Sequence, residues 1–480
     1  MPESIDVLIA GAGPTGLGAA WRLVERKQTN WLLVDSASFP GGLAASVIDP
    51  RGFTWDLGGH VLFSHYEYFD RLMDVLLGDA WVRHERESWV WMRGRFIPYP
   101  FQNNIWRLPW REFFQAMRGL GGVRLRQKKG TPQNFYEWIL QNFGPGIAHS
   151  FLIPYNYKLW AYPPSLLGTA WMRERVAPTS WTRCLRNAIL RREDRSWGPN
   201  ATFRFPLRGG TGAIWRALAK KLPPEQLSFS CGIVRLYPRR QEALLDDGRT
   251  IHYEHLISTM PLDRLSVLME DSVELKALAD RLVYSHTHVI GIGIEGKVPS
   301  HLKKKCWIYF PESDVPFYRV TVFSNYSPFN VPDPTRYWSL LCEVSESSQK
   351  PISGDSLVAD VLAGLGCARL LSAGASVVDA WHQRLEHGYP TPFLGRDEVL
   401  KKMDALLTPL NIYSRGRFGG WKYEVSNQDH SLMQGVEVVD YLLKGVPEVT
   451  YYGQRPSASQ PPMLFNTTSC TAGARPGKKL

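Results

Sequence analysis

The chain has 480 residues, 44% of them hydrophobic, which suits two or three domains with an ordinary core. It contains no apolar run of about 18 residues, so a membrane-spanning helix is excluded. The formal charge of +11 fits an anionic partner, but the basic runs at 124–129, 191–195 and Lys478-Lys479-Leu480 read as solvated faces and ends rather than a nucleic-acid surface.

Residues 5–10 form an apolar run of strand length. A glycine turn follows, then helical spacing over 17–24 and a second apolar run at 31–34. That strand–helix–strand order implies a parallel sheet with a right-handed crossover. Residues 88–92 and 95–99 flank Arg93-Gly94 and predict a hairpin. From Trp110 to about Arg195 the pattern is helical, broken by Gly144-Pro145, Pro154 and Pro163-Pro164. Residues 256–258 read as a short strand. Residues 288–294, 306–310, 318–323 and 337–344 read as strands of an antiparallel sheet. After Arg415 a glycine-rich loop leads into a helix near 431–443. The six cysteines have no paired or zinc-like spacing, which indicates free thiols in a reducing compartment. The first residues lack a basic n-region and a cleavage site, so a cytoplasmic location is expected. The terminal Lys-Lys-Leu stands one position from a peroxisomal address.

Gly11-Ala12-Gly13-Pro14-Thr15-Gly16 lies between the first strand and the first helix. One glycine makes the tight turn, one lets the backbone approach a pyrophosphate, and one permits close helix–strand contact. The helix N-terminus then offers unpaired N–H groups to the phosphates. Asp35 ends the second strand, where an acid would accept ribose hydroxyls and disfavour a 2′-phosphate. Gly41-Gly42-Leu43 follows at a spacing seen in FAD enzymes, and no Cys or His motif suggests covalent attachment. The expected fold is α/β: a Rossmann-type FAD-binding domain with a helical insertion domain and an antiparallel β-sheet domain. The expected FAD-binding segments are 1–85, 200–270 and 405–455. The helical domain takes 100–199, the sheet and substrate domain 86–99 and 280–400, and a tail 456–480.

Further motifs run along the chain. They are Trp55-Asp56-Leu57-Gly58-Gly59-His60-Val61-Leu62-Phe63-Ser64, Tyr99-Pro100-Phe101-Gln102-Asn103-Asn104, Pro154-Tyr155-Asn156-Tyr157-Lys158-Leu159-Trp160 and the segment from Gly198 to Pro206. Later come Phe317-Tyr318-Arg319, Asn325-Tyr326-Ser327, His387-Gly388-Tyr389-Pro390, Gly416-Arg417-Phe418, Trp421-Lys422-Tyr423-Glu424 and Asn427-Gln428-Asp429-His430-Ser431. In order and spacing, from Val7 to about Leu443, the chain resembles the eukaryotic UDP-galactopyranose mutases. The resemblance implies interconversion of UDP-galactopyranose and UDP-galactofuranose without net redox change. Reduced FAD would attack the anomeric carbon through N5, with UDP leaving and NADPH as external reductant. It places His60 on a mobile loop by the flavin, with Arg175 and Arg319 on the diphosphate beside Tyr309, Tyr326, Tyr389 and Tyr423. Phe63, Tyr99, Phe101, Gln102, Asn156 and Trp160 would hold uridine. Arg417, Asn200, Trp307 and Asn427 would lie near galactose and flavin. Gly11, Gly13, Thr15, Gly16, Asp35, Gly42, Leu43, Gly58, Gly59, Arg417, Asn427, Gln428 and Ser431 would hold the cofactor. Ser426 and Ile153 depart from the pattern, standing where Gly and Arg are expected.

The residue chemistry agrees with an anionic sugar nucleotide. Arginine donates a rigid fork to phosphate oxygens. Arg319 lies in an apolar strand and needs an anion, either a protein carboxylate or a ligand phosphate. Arg175 could equally be a surface or ion-pair arginine, and His60 a turn histidine bonded to a carbonyl. No metal-ligand spacing and no Ser-His-Asp set is evident, so the reaction chemistry is assigned to the cofactor and no metal is expected. The competing reading is an amine-oxidase-like FAD oxidase or desaturase, or an FAD-containing module without catalysis.

Overall fold

The computed structural model describes residues 3–125, 130–172, 176–195, 198, 201–352 and 356–453. The apolar runs around the first glycine turn become the middle of a seven-stranded sheet. Glu3–Ala10 lies between Thr250–Ser258 and Trp31–Asp35 and is parallel to both. Leu227–Phe229 adds to the outer side of Trp31–Asp35, and Ile412–Ser414 pairs in parallel with Thr250–Ser258. Leu8, Ile9 and Leu33 are wholly buried, as a parallel sheet covered on both faces requires. The hairpin Ile233–Tyr237 and Glu242–Leu245 closes the far edge in antiparallel fashion. In this register Ala10 is opposite Ser258, and Ser258 opposite Ser414. Three carboxyl ends therefore meet at one rim, where ligands of open α/β sheets bind.

The helix Pro14–Glu25 covers this sheet and packs against Gln428–Lys444, so sequence ends more than 400 residues apart share one core. The contact is backbone-close. A Cβ on Gly18 would come 2.5 Å from Leu432 O, and one on Gly435 would fall inside Thr15 O. Arg22 crosses the same interface. It donates to Asp440 at 2.6 and 3.0 Å and to Glu25 at 2.8 Å, and Glu25 also accepts from the Tyr68 hydroxyl at 2.7 Å.

The second sheet also has seven strands. Tyr284–Glu295 sits between Val377–Pro390 and Tyr337–Glu346, and Arg319–Thr321 and Trp307–Tyr309 follow outward. The early hairpin Ser88–Met92 and Arg95–Pro98 completes it through a parallel pairing with Trp307–Tyr309. The expected short strand at 256–258 is the end of a nine-residue strand. The 14-residue Val377–Pro390 was not anticipated at all. It is an edge strand with polar, partly exposed residues (His382, Gln383, Arg384, Glu386), so its hydrophobic pattern is weak.

The third layer is helical: Trp110–Leu125, Phe135–Ile147, Ile153–Trp160 and Trp181–Ile189. Phe135, Ile139 and Phe143 recur at helical spacing and are buried. Asn134 caps this helix by accepting Glu137 N–H at 2.9 Å. Gly144 at φ +70° before Pro145 breaks it. No described helix is long and apolar enough to cross a membrane.

Candidate active site

The turn before the first helix is made of backbone. Gly11 has φ +108°, and a Cβ there would strike Thr259. Asp35 accepts Ala12 N–H at 2.5 Å and Ala37 N–H at 2.7 Å. It therefore braces the turn, a role beyond the ribose contact expected of it. Burial raises its pKa, and the two N–H bonds oppose that shift. Among the described residues no side chain caps Pro14–Glu25. Gly13 and Gly42 face each other across the turn, with Leu43 half-buried beside them. Among the described residues, the Ser258 and Ser414 hydroxyls at the strand ends are buried without a protein partner. An uncapped helix start with open glycines and unused hydroxyls fits the pyrophosphate of a bound dinucleotide.

The loop after Arg415 closes over this turn. Gly416 has φ +92°, and a Cβ would come 2.6 Å from the Oγ1 of buried Thr15. Asn427 occupies the N-cap position of Gln428–Lys444, and Ser431 N–H donates to Asn427 O at 2.8 Å. Gln428 Oε1 accepts from Trp215 Nε1 at 3.0 Å.

Gly58 and Gly59 lay backbone over an ion pair formed by cross-strand partners. Arg319 and Glu343 are directly opposite in the register of the second sheet. Arg319 Nη2 donates to Glu343 Oε1 at 2.7 Å, its Nε donates to Oε2, and the Tyr318 hydroxyl donates to Oε1 at 3.1 Å. A Cβ on Gly59 would stand 3.0 Å from both members of the pair. The anion that Arg319 needs is thus a protein carboxylate. Burial pushes Glu343 up, but Arg319 outweighs it and holds the carboxyl below its ordinary range.

His60 sits over this pair, and its Nδ1 is buried without a partner among the described residues. Burial lowers the imidazole to about 4, with Arg417 and Arg319 adding to the shift and Glu343 opposing it. His60 is therefore neutral near pH 7. Arg417 places its guanidinium 4.8 Å from the Tyr389 ring centre. It donates to Gly388 O at 3.1 Å and to Ser426 Oγ at 3.2 Å, while the Ser426 hydroxyl donates to Tyr423 O at 2.9 Å. The departure at Ser426 thus ties Arg417 to the Tyr423 turn. Ile153, the other departure, packs against the helical core.

Aromatic rings enclose the space between the second sheet and the helical layer. Tyr309 contacts Tyr99 at 5.3 Å and Tyr155 at 5.2 Å, and Trp307 follows at 6.4 Å. Trp160 meets Tyr423 at 4.8 Å and Tyr389 at 5.8 Å. Among the described residues, Trp160 Nε1, Gln102 Oε1 and the Tyr326 hydroxyl are buried with no protein partner. Such groups are costly unless a ligand satisfies them.

Other expected residues stand further back. Phe101 is fully buried and stacks on Phe151 at 4.6 Å. Asn156 Nδ2 donates to Leu152 O at 2.7 Å, and Phe63 stands against His65 at 5.6 Å. Arg175 and Asn200 lie outside the described residues.

Three features went unread in the sequence. Glu343 is a carboxylate inside the apolar run Leu340-Leu341-Cys342-Glu343-Val344, which is the signal that could have found it. Asp56 is wholly buried and accepts from Ser46 Oγ at 2.5 Å and Thr211 Oγ1 at 2.6 Å, so it links the cofactor loops. Burial raises it to about 6, against those hydrogen bonds. His65, Asp429 and His430 form a grouping whose donor atoms lie within 4.8 Å of one another. Asp429 accepts from His65 Nδ1 at 2.8 Å and from His430 Nδ1 at 3.0 Å, and these bonds account for its burial.

Comparison with known proteins agrees with this arrangement. The flavin containing amine oxidoreductase family matches residues 14–397. The crystal structure of a reduced UDP-galactopyranose mutase superposes with a TM-score of 0.91 at 49% identity, covering 93% of this chain and 96% of that one. A fatty acid isomerase from P. acnes (TM-score 0.61, 12% identity, 91% and 98% covered) and a putrescine oxidase (0.61, 14%, 92% and 99%) share the fold alone. The chain belongs to the flavin-containing amine oxidoreductases and, within them, to the UDP-galactopyranose mutases.

Proposed function

We propose that this protein is a flavin-dependent isomerase that interconverts UDP-galactopyranose and UDP-galactofuranose. The observation that carries the reading is the set of phenols and guanidiniums gathered beside a dinucleotide crevice: Tyr99, Tyr309, Tyr389, Tyr423, Arg319 and Arg417. A diphosphate is the ligand chemistry that such a lining recognises. When bound and reduced, FAD supplies the electron-rich centre able to take the anomeric carbon as UDP departs.

The chain's own residues bind and orient. Arg319 spends Nε and Nη2 on Glu343, which leaves Nη1 to donate to a phosphate oxygen. Charge builds on that phosphate as the glycosidic bond breaks, so a donor preorganised by Glu343 acts more strongly in the transition state. Arg417, held by Ser426 and Gly388, covers the sugar side with Asn427. Neutral His60 offers the flavin region a hydrogen-bonding ring without adding charge. Trp160 and Gln102 bring their unpaired Nε1 and Oε1 to the uridine, with Phe63, Phe101 and Asn156 behind them. Arg175 and Asn200 complete the diphosphate and sugar contacts in this reading. Cofactor binding falls to Gly11, Gly13, Thr15, Gly16, Asp35, Gly42, Leu43, Gly58, Gly59, Gln428 and Ser431. NADPH is the proposed external reductant, tested by anaerobic bleaching of the flavin absorbance.

The test of the whole reading is direct. Purified protein given UDP-galactofuranose and dithionite should form UDP-galactopyranose, resolved by chromatography. Absence of the product from flavin-loaded, reduced protein would overturn it.

A further inference from the structure

Away from the flavin crevice, a cavity of about 420 Å3 opens between the helix Ile153–Trp160, the 311–316 loop and the helix Leu357–Cys367. Its walls are largely apolar, with Val315, Pro316, Val344 and Leu357 among them. Two lysines also line it, Lys158 and Lys350. Lys158 is buried, with 6% of its surface exposed. Each ammonium group donates to one backbone carbonyl, Lys158 to Glu312 O at 2.5 Å and Lys350 to Ser345 O at 2.5 Å. Among the described residues neither has a carboxylate within 4.0 Å. Of the nearby acids, Glu312 pairs with Arg93, Glu346 pairs with His288 and Arg384, and Asp360, which also lines the cavity, accepts from Ser356; exposed Asp314 acts on Lys158 from beyond contact distance.

Two ammonium groups lining one largely apolar cavity, with no carboxylate in contact among the described residues, are incompletely neutralised. Burial lowers Lys158 to about 7 and Lys350 to about 8, outweighing the opposing pull of Asp314 and Glu312 on the first and of Glu346 on the second. Each ammonium keeps two N–H donors beyond the carbonyl it already meets. A ligand with an oxyanion head would supply the missing charge, and an apolar body would cover the remaining wall.

We propose that this cavity binds a small amphiphilic anion, its carboxylate or phosphate head held between Lys158 and Lys350 and its apolar body against Val315, Pro316, Val344 and Leu357. The site is separate from the proposed sugar-nucleotide site, yet it shares the helix that carries Asn156 and Trp160. The Lys158 carbonyl also accepts from Ser345 Oγ, on the strand that carries Glu343.

The test is calorimetric titration of the flavin-loaded protein with octanoate, octyl phosphate and uncharged octanol. One saturable site per chain is expected for octanoate or octyl phosphate, and the tighter of the two identifies the head group. Lys158→Met and Lys350→Met should each weaken that binding at least tenfold, while Lys350→Arg, which keeps the charge, should stay within threefold. The Lys350 pair of variants keeps the test decisive should Lys158→Met fold poorly. The proposal is overturned if neither anion saturates, if Lys350→Met binds as the parent does, or if octanol binds as tightly as the anions.

Discussion

Arg319 and Glu343 face each other across adjacent antiparallel strands, and both lie under the Gly58-Gly59 backbone. Removing one partner leaves the other charge buried, a loss of about 3–5 kcal/mol. Arg319→Ala should therefore lower thermal stability and also cut kcat/KM by about a hundredfold or more, equivalent to ~2.7 kcal/mol. Arg319→Lys should restore stability better than activity, because a point charge cannot reproduce the fork. If both Arg319 variants bind UDP as tightly as the parent, the arginine serves the fold alone. The demand for an anion at Arg319 was legible from its apolar strand; the identity of that anion depended on pairing between strands 24 residues apart. His60 gives a pH test. Its imidazole, lowered to about 4 by burial and by Arg417 and Arg319, stays neutral through the physiological range. No limb of the kcat/KM profile between pH 6 and 8 should belong to it, and a midpoint near 6.5 that vanishes in His60→Asn would contradict this. The linkage has a definite sign. The unfolded chain binds the His60 proton below about 6.5 and the folded one only near 4. This group's contribution to stability therefore falls as pH drops from 6.5 to 4.

At the scale of elements, the cofactor crevice depends on two helices from opposite ends of the chain. Gly18 and Gly435 let Pro14–Glu25 and Gln428–Lys444 meet at backbone distance, and Arg22 with Asp440 locks the contact. Gly435→Val would force a side chain into Thr15 O, next to the turn that meets the dinucleotide. Overpacking of this kind costs about 1–3 kcal/mol. Gly435→Val should therefore lower the melting temperature and release flavin earlier in a melt followed by flavin fluorescence. A variant that melts and retains flavin like the parent would show that the helices can separate without opening the crevice. The glycine turn, both early strands and the first helix were readable because local apolar period and turn chemistry agreed there. Val377–Pro390 was not readable, since an edge strand with one solvated face carries a weak hydrophobic signal. The aromatic box was legible only as motifs, because Trp160, Tyr309, Tyr389 and Tyr423 are brought together from four separate segments by the fold.

The whole molecule places the proposed dinucleotide crevice on one sheet, a guanidinium–carboxylate pair on the other, and an aromatic wall shared between that second sheet and the helical layer. No layer holds the proposed reaction alone, and this division separates two roles of the flavin. An oxidase of the same fold passes electrons from substrate to cofactor on each turnover, and so consumes an acceptor. An isomerase returns the cofactor unchanged, because substrate and product have the same oxidation level. Reduced protein should therefore convert many equivalents of UDP-galactofuranose for each equivalent of dithionite supplied under anaerobic conditions. The flavin spectrum should stay reduced from first turnover to last, and the oxidised protein should be nearly inactive. The measurement is product per flavin against reductant added, with absorbance recorded throughout. A reduced sugar nucleotide formed in place of the isomer, one equivalent for each equivalent of dithionite consumed, would show that the electrons pass to substrate, and the protein would then be a reductase built on this fold. Equal rates from oxidised and reduced protein would free the chemistry from the flavin's redox state. The catalytic group would then have to be sought among the side chains, starting with His60, whose neutral ring already overhangs the Arg319–Glu343 pair.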